Sequence, residues 1–418
     1  MKLTFTKYKD YKASETVWLG SVPTEWAIVR NKEIFKERSS LSTTGKETLL
    51  TVSHITGVTP RSEKNVNMFM AETMEGYKIC HPGDLIINTM WAWMGALGTS
   101  NELGICSPSY NVYIPTKGVP YNHRYFDYLF RIPNAIVEMT RNSKGIVSSR
   151  LRLYAKDFFQ IETVLPSLQE QKTIAQYLDT KTAQIDRKID LLTQKATRYG
   201  NLKQSLINET VTRGRDRSVP MKDSAIEWVG KIPQHWGVKR AKELFHISRG
   251  RVIAQSDLIE NGQYPVYSSQ TKDDGCLGYI DTFDYEGEYI TWTTDGVNAG
   301  TVFLRRGKFN CTNICGTLRL IKNNQFLNYL LYFLQVITKH NKRIDTNGAK
   351  IMSNEMAFIK IAVPPLSEQK AIADYLDTKT TQIDQIIQTI NTQIEKLKEL
   401  RKTLINDVVT GKIKVAED

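Results

Sequence analysis

Cys311 and Cys315, in the stretch CTNIC, are the two most closely spaced cysteines in the chain. Two thiols separated by three residues, with no second Cys or His pair, fall short of a four-ligand zinc set, so two part-buried thiols near a strand are the plainer expectation. Gly45-Lys46 lacks the upstream glycine of a phosphate-cradling loop and is followed by Glu47 where Ser or Thr is needed. No GxSxG elbow, HExxH helix, NPPY or DPPY tetrapeptide, or FxGxG turn occurs, and the six histidines suggest no Ser, His and Asp set. Neither a metal site nor a catalytic residue is therefore expected. What the chain does carry is positive charge: 56 Lys plus Arg against 44 Asp plus Glu leave a formal +12. That excess suits a polyanionic partner, nucleic acid first.

The 418 residues, 41% of them hydrophobic, can build two to four self-sufficient domains. Five cysteines without CxxC spacing fit a reducing compartment better than a disulfide framework. MKLTFTKYKDYKASE has no apolar signal core, and no run of eighteen apolar residues occurs, so a cytoplasmic protein without a membrane span is expected.

The elements that must position any binding groups are written twice. EQKTIAQYLDTKTAQID (170–186) returns as EQKAIADYLDTKTTQID (368–384), and over 165–190 against 363–388 the copies agree at 17 of 26 positions. WLGSVPTEWAIVRNKEIF (18–35) likewise returns as WVGKIPQHWGVKRAKELF (228–245). The chain is an internal duplication.

Ile174, Leu178, Ile185, Ile189, Leu192, Ala196, Tyr199, Leu202 and Leu206 fall mostly at three- and four-residue steps, one face of a long helix. The second copy has Ile372, Leu376, Ile383, Ile387, Ile390, Ile394, Leu397, Leu400 and Leu404. Both stripes slip by one residue at Leu202 and Leu400, where a strict heptad demands Lys203 and Arg401. Ser167-Leu-Gln-Glu170 predicts a capping box at the first helix start. Asp179 and Asp377, each followed by Thr-Lys-Thr, could cap a fresh helix, which leaves open a kink at those positions. Stripes this long and apolar need a partner, and pairing the two helices as an antiparallel coiled coil supplies one.

Between the helices, short β-branched and aromatic runs such as GDLIINTM, YNVYIP, YPVYSS and GEYITWTT alternate with Gly, Pro, Asn and Asp, and HRYFDYLFRI and FLNYLLYFLQVITKH read as helices. The predicted fold class is α+β: two globular α+β modules, 1–165 and 214–363, joined by two long antiparallel helices in the helical regions 166–213 and 364–418, with a pseudo-twofold internal repeat.

Two variable modules, each followed by PxLxEQKxIAxYLDTKTxQID, resemble the specificity subunit of type I restriction-modification enzymes over almost the whole chain. VKRAKELF after WVGKIPQHW resembles the start of a target recognition domain. YKICHPGDLIINTMWAWMGALGTS with GICSPSYNVYIP resembles one class of such domain, and GQYPVYSSQTKDDGCLGYI with GEYITWTTDGVNAGTVF another. The resemblance implies a non-catalytic DNA-reading subunit that joins two adenine methyltransferase subunits and recruits ATP-driven restriction subunits. S-adenosylmethionine, ATP and Mg are then expected on the partner subunits, with no cofactor bound by this chain. Identical partners need identical docking surfaces, which accounts for the repeated helix, while dissimilar modules imply an asymmetric bipartite target.

On that reading helices of ~50 Å set the half-sites about one duplex turn, ~34 Å, apart. Arg suits guanine and Asn or Gln adenine, on loops that can enter a groove. DNA-binding candidates in the first module are Asn88, Thr89, Met90, Trp91 and Trp93, with Arg141, Lys144, Ser148, Ser149, Arg150 and Arg152. In the second they are Arg249, Arg251, Ser269, Gln270, Lys272, Thr293, Thr294, Asp295 and Asn298, with Lys342, Arg343, Asn347 and Lys350. The tryptophan pair reads equally as core, and DGVNAG equally as a hydrogen-bonded turn. Trp18, Pro23, Trp26, Trp228, Pro233 and Trp236 recur in both halves and read as framework. Glu170, Gln171, Lys172, Tyr177 and Asp179, with Glu368, Gln369, Lys370, Tyr375 and Asp377, are candidates for docking the methyltransferase subunits, or else for seating each module on the helices. Competing readings are a self-contained enzyme with unfamiliar motifs and a duplicated coiled-coil scaffold that binds proteins.

Overall fold

The computed structural model describes residues 6–64, 73–147, 150–346 and 348–415. The chain divides into two compact units, 1–192 with 392–418, and 193–391. The fold is α+β. Two long helices, Leu168–Arg213 and Leu366–Val409, each contribute to both units. No helix among the described residues is long and apolar enough to cross a membrane.

In the first unit an antiparallel sheet runs in the order Phe35–Glu37, Tyr110–Pro115, Leu85–Asn88, Leu97–Thr99. The second unit has the same four strands in the same order: Phe245–Arg249, Cys315–Leu320, Tyr285–Thr293 and Val302–Cys311. Two more strands, Tyr264–Tyr267 and Cys276–Ile280, extend this sheet at the edge, and the first of them pairs in parallel with Val302–Cys311. Each module is closed by an antiparallel pair that joins an early strand to its last, Ala27–Arg30 with Glu162–Leu165 and Gly237–Arg240 with Lys360–Val363. Two modules of dissimilar sequence therefore share one sheet topology. Cys311 and Cys315 face each other in a buried cluster with Tyr289 and Phe309, and the thiol of Cys311 is pushed up by its hydrogen bond with Cys315 and by burial.

Within each unit the start of one long helix packs antiparallel on the end of the other. In the first unit Ile174, Leu178, Leu404, Val408 and Val409 join the module core. In the second Ile207, Val211, Ile372 and Leu376 do the same. The slip in the stripes has a physical meaning that differs from the apolar seam expected. Leu202 and Leu400 lie outside the seam, about half exposed. The heptad positions beside them carry Lys203, whose Nζ lies 2.6 Å from Asp384, and Arg401, whose Nε lies 2.9 Å from Asp186. A cation replaces a leucine at the same point of both stripes, and each pairs with the aspartate that ends the repeated QID. Exposed pairs of this kind contribute under about 1 kcal/mol each, so their value lies in fixing register.

Both helices run through Asp179 and Asp377 without a break, so neither aspartate caps a new helix. Their carboxylates instead accept from the module: Asp179 from Arg124 at 2.5 Å and the Tyr128 hydroxyl at 2.8 Å, Asp377 from the Tyr332 hydroxyl at 2.6 Å. Half of the expected capping box forms. Ser167 Oγ accepts from the Glu170 N–H at 3.2 Å, while the Glu170 carboxylate turns to the module.

Gln171 and Gln369 are fully buried at equivalent helix starts. Gln171 Oε1 accepts from the Asn122 N–H at 2.8 Å, and its amide donates to the carbonyls of Pro120 and Pro166 at 3.1 and 3.0 Å. Gln369 accepts from the Phe326 N–H at 2.8 Å and donates to Gln325 Oε1 and the Pro364 carbonyl. Replacing Gln171 by Leu leaves three polar groups without this partner, one buried and two part-buried, and the buried one alone costs about 1–3 kcal/mol before relaxation. Gln171→Leu is therefore expected to lower the denaturant midpoint of the chain by at least about 2 kcal/mol of stability, and an unchanged midpoint would show that the amide does not hold the module.

Candidate nucleic-acid interface

In the first module the strand Leu85–Asn88 runs into a turn closed by Gly95, whose left-handed φ of 85° a side chain would strain. Asn88 is buried, and its Oδ1 accepts from the Met90 N–H. Thr89 donates to the Ser109 carbonyl, and the Trp93 indole donates to the Met90 carbonyl at 3.0 Å. Trp91 is the outward member of the tryptophan pair, 50% exposed. The Asn88 amide oxygen thus takes part in the turn that presents Trp91.

The basic cluster lies beside this turn. Lys144 and Arg152 pair as an antiparallel bridge, and the Leu153 N–H donates to the Thr89 carbonyl at 3.0 Å, tying the cluster to the turn. Arg150 and Arg152 are exposed, Arg141 lies 3.7 Å from Glu138, and Lys144 lies 3.3 Å from Asp157. Ser148 and Ser149 fall outside the described residues, as does Asn347 in the second module.

The second module repeats the device with other residues. Its long strand ends in the buried pair Thr293 and Thr294, and the Ile351 N–H donates to the Thr294 carbonyl at 2.9 Å, the counterpart of the bond from Leu153 to Thr89. Both of these DNA-binding candidates are buried at the strand end. The hairpin Arg343–Asp345 with Gly348–Lys350 takes the place of the bridge between Lys144 and Arg152. Lys350 Nζ lies 3.7 Å from Asp295, Arg343 Nε lies 2.8 Å from Glu355, and Lys342 is half-buried.

A second group gathers around the loop 268–275. Gln270 donates its amide to the Cys276 carbonyl, Asn298 donates to the Ser269 carbonyl at 2.9 Å, and Lys272 is exposed. Asp273 and Asp274 both adopt left-handed backbone, so the loop is held by other groups. The holder is Arg305, which sequence reading missed. It is buried with its guanidinium 3.6 Å from the Tyr267 ring centroid and donates to the Asp274 carbonyl and Thr291 Oγ1. Burial pulls its pKa down. The available signal was strand alternation, since Arg305 faces in and Arg306 faces out toward Glu288. Arg249 donates to the Asn313 carbonyl, and Arg251 pairs with Asp284 at 2.9 Å.

Six of the ten docking candidates make polar contacts inside their own unit, as the alternative of seating each module on the helices asks. Besides Gln171, Gln369, Asp179 and Asp377, Glu170 accepts from Tyr8 at 2.6 Å and from the Trp26 indole at 2.9 Å. Burial and that bond push the Tyr8 hydroxyl up. Glu368 meets His235 at 2.7 Å. Lys172 and Lys370 are exposed, and Tyr177 and Tyr375 half-buried, with Arg215 4.8 Å from the Tyr375 ring centroid. Trp18 and Trp236 are buried, and Trp228 stacks on His340 at 4.5 Å.

Residues 233–396 match the family model of the type I restriction modification DNA specificity domain. The chain is 33% identical over 246 residues to a putative type I specificity subunit of Mycoplasma pneumoniae, covering 57% of this chain and 89% of that protein. It is 39% identical over 165 residues to the specificity subunit of the type I restriction enzyme MpnII of the same organism, 38% of this chain and 48% of that one. Among solved structures, a chain from work on complex assembly and conformational transition of the type I R-M system superposes with TM-score 0.70 at 15% identity, over 93% of this chain and 98% of that one. The HsdS subunit of Thermoanaerobacter tengcongensis gives 0.57 at 16% identity, over 94% and 98%. With shared topology in both modules and these relatives, the chain belongs to the family of type I restriction-modification specificity subunits.

Arg150→Gln and Arg152→Gln test the basic cluster. Each is expected to weaken duplex binding about equally on all sequences and to lower the slope of log affinity against log salt by about 1. Fluorescence anisotropy across a salt series reads both, and an unchanged slope would remove these arginines from the phosphate contacts.

Proposed function

We propose that this subunit reads an asymmetric bipartite DNA target, one half with each module, and docks two adenine methyltransferase subunits and, through them, restriction subunits. The observation that carries this reading is a contrast. The bonds that seat the modules on the helices recur in both units at the glutamines and at the aspartate–tyrosine pairs, Gln171 with Gln369 and Asp179 with Asp377, while Glu170 and Glu368 keep the position but not the partner. The turns and hairpins that face outward differ at nearly every residue: Trp91, Lys144, Arg150 and Arg152 against Asn298, Arg343 and Lys350. Equal seats suit equal partners, and unequal loops suit unequal half-sites.

The chain contributes recognition and no chemistry of its own. S-adenosylmethionine, ATP and Mg act on the partner subunits. Exposed Lys172, Lys370 and the partly exposed Tyr177 and Tyr375 are the side chains at the helix starts still available to a methyltransferase subunit. Arg150, Arg152 and Lys272 contact phosphates, and base reading falls to the loops around Trp91, Gln270 and Asn298.

The test mixes the chain with its methyltransferase subunit and S-adenosylmethionine, methylates random-sequence duplex DNA and maps the modified adenines. The expected product is one motif with two unlike halves and an unread spacer. Methylation without a motif, or failure of the two proteins to associate, favours the duplicated scaffold that binds proteins.

A further inference from the structure

Each unit exposes apolar side chains that stability of the fold does not use. In the first, Ile146 is fully exposed, with Val147 and Trp91 each about half exposed. In the second, Val297 and Ile344 are 97% and 84% exposed. These residues lie at equivalent places. Trp91 and Val297 sit on the turn after the central strand, and Ile146 and Ile344 on the segment tied to that turn through the Thr89 and Thr294 carbonyls.

An added Cβ at Gly145 would lie 2.6 Å from the Arg150 carbonyl oxygen, so Gly145 and Arg150 approach closely beside Ile146. In the second unit the Gly296 N–H donates to the Ala349 carbonyl at 3.0 Å, fastening the turn of Val297 to the hairpin of Ile344. Cations flank both places: Lys144, Arg150 and Arg152 in one, Lys342 and Lys350 in the other. A ligand that suits an apolar tip within a cationic rim must set an apolar slot between lines of negative charge, and duplex DNA does so at every base step.

We propose that Ile146 and Ile344 act as wedges, each entering a base step of its own half-site and loosening the stack beside the adenine to be methylated. This rests on the specificity reading above. A methyltransferase must take its target base out of the helix, at the cost of lost stacking and pairing. An aliphatic side chain between neighbouring bases replaces part of that stacking, as apolar wedges of architectural proteins do. Two modules would supply two wedges, one for each methyltransferase subunit.

The test uses the full chain assembled with its methyltransferase subunit on a duplex carrying the mapped target. Methylation rate is read at each half-site, with affinity measured in parallel. Ile146→Ser and Ile344→Ser alter exposed side chains and leave the core intact. Each is expected to slow methylation about tenfold at one half-site only, with affinity changed less than about threefold. A mismatch opposite the target adenine, which makes the base cheaper to extrude, is expected to restore the rate. Unchanged rates overturn the wedge. So does a parallel loss of rate and affinity without mismatch rescue, or an equal loss on replacing a half-site thymine by uracil, which would mark contact with a thymine methyl. If the wild-type assembly binds DNA but methylates no defined motif, the specificity reading fails, and the wedge falls with it.

Discussion

A buried side-chain amide at the start of each long helix is the constraint on which the rest depends. Gln171 and Gln369 satisfy one N–H and two carbonyl-type acceptors each, at points where the module chain passes the helix end. Such groups cannot be left unmet in the interior, so a module can sit on its helix in only one way. The aspartate two turns on, with its tyrosine, fixes the same module a second time. Tyr125 and Tyr329 add a third bond, to the Val409 and Val211 carbonyls near the end of the opposing helix. Their burial pushes both hydroxyls well up, as expected for groups that must stay neutral donors.

That arrangement separates two requirements that usually conflict. Seating asks for fixed residues, and recognition asks for variable ones. Here the seat lies on the helix starts and on the helix that follows the sheet, while outward loops hang from the far ends of the strands. The second sheet can gain two strands and a loop braced by Arg305 while the buried amide and the aspartate–tyrosine bond of the seat are kept. Surface loops tolerate such change because their backbone is satisfied locally or by solvent.

Much of this was legible in the sequence. The repeat exposed the duplication, and the stripes gave the two helices and their antiparallel packing. Trp26, recurring as Trp236, was correctly read as framework. What was not legible has a common physical origin: sequence shows a residue type but not which way it faces. Thr293 and Thr294 have groove-reading chemistry yet end a buried strand, Asn88 shapes a turn, and Asp179 looks like a helix cap but accepts from Arg124 in mid-helix. The shift at Leu202 and Leu400 read as an apolar slip, whereas Lys203 and Arg401 occupy the seam as cations because Asp384 and Asp186 face them. Arg305 was invisible because a buried arginine is rare and its partners come from three separate strands and loops.

The claim that seats are interchangeable while loops are not has one direct test. Residues 31–161 are grafted in place of 241–359, so that the closing strand pair of the second module and the long-helix side of its seat, Gln369 and Asp377, are kept, and the module side of the seat comes from the first module. The methylation motif of the grafted subunit, assembled with its methyltransferase, is then mapped. The account predicts a target whose two halves carry the same half-site, that of the first module. A motif whose second half is unchanged, or an assembly that reads no motif although the grafted chain is folded, would contradict it.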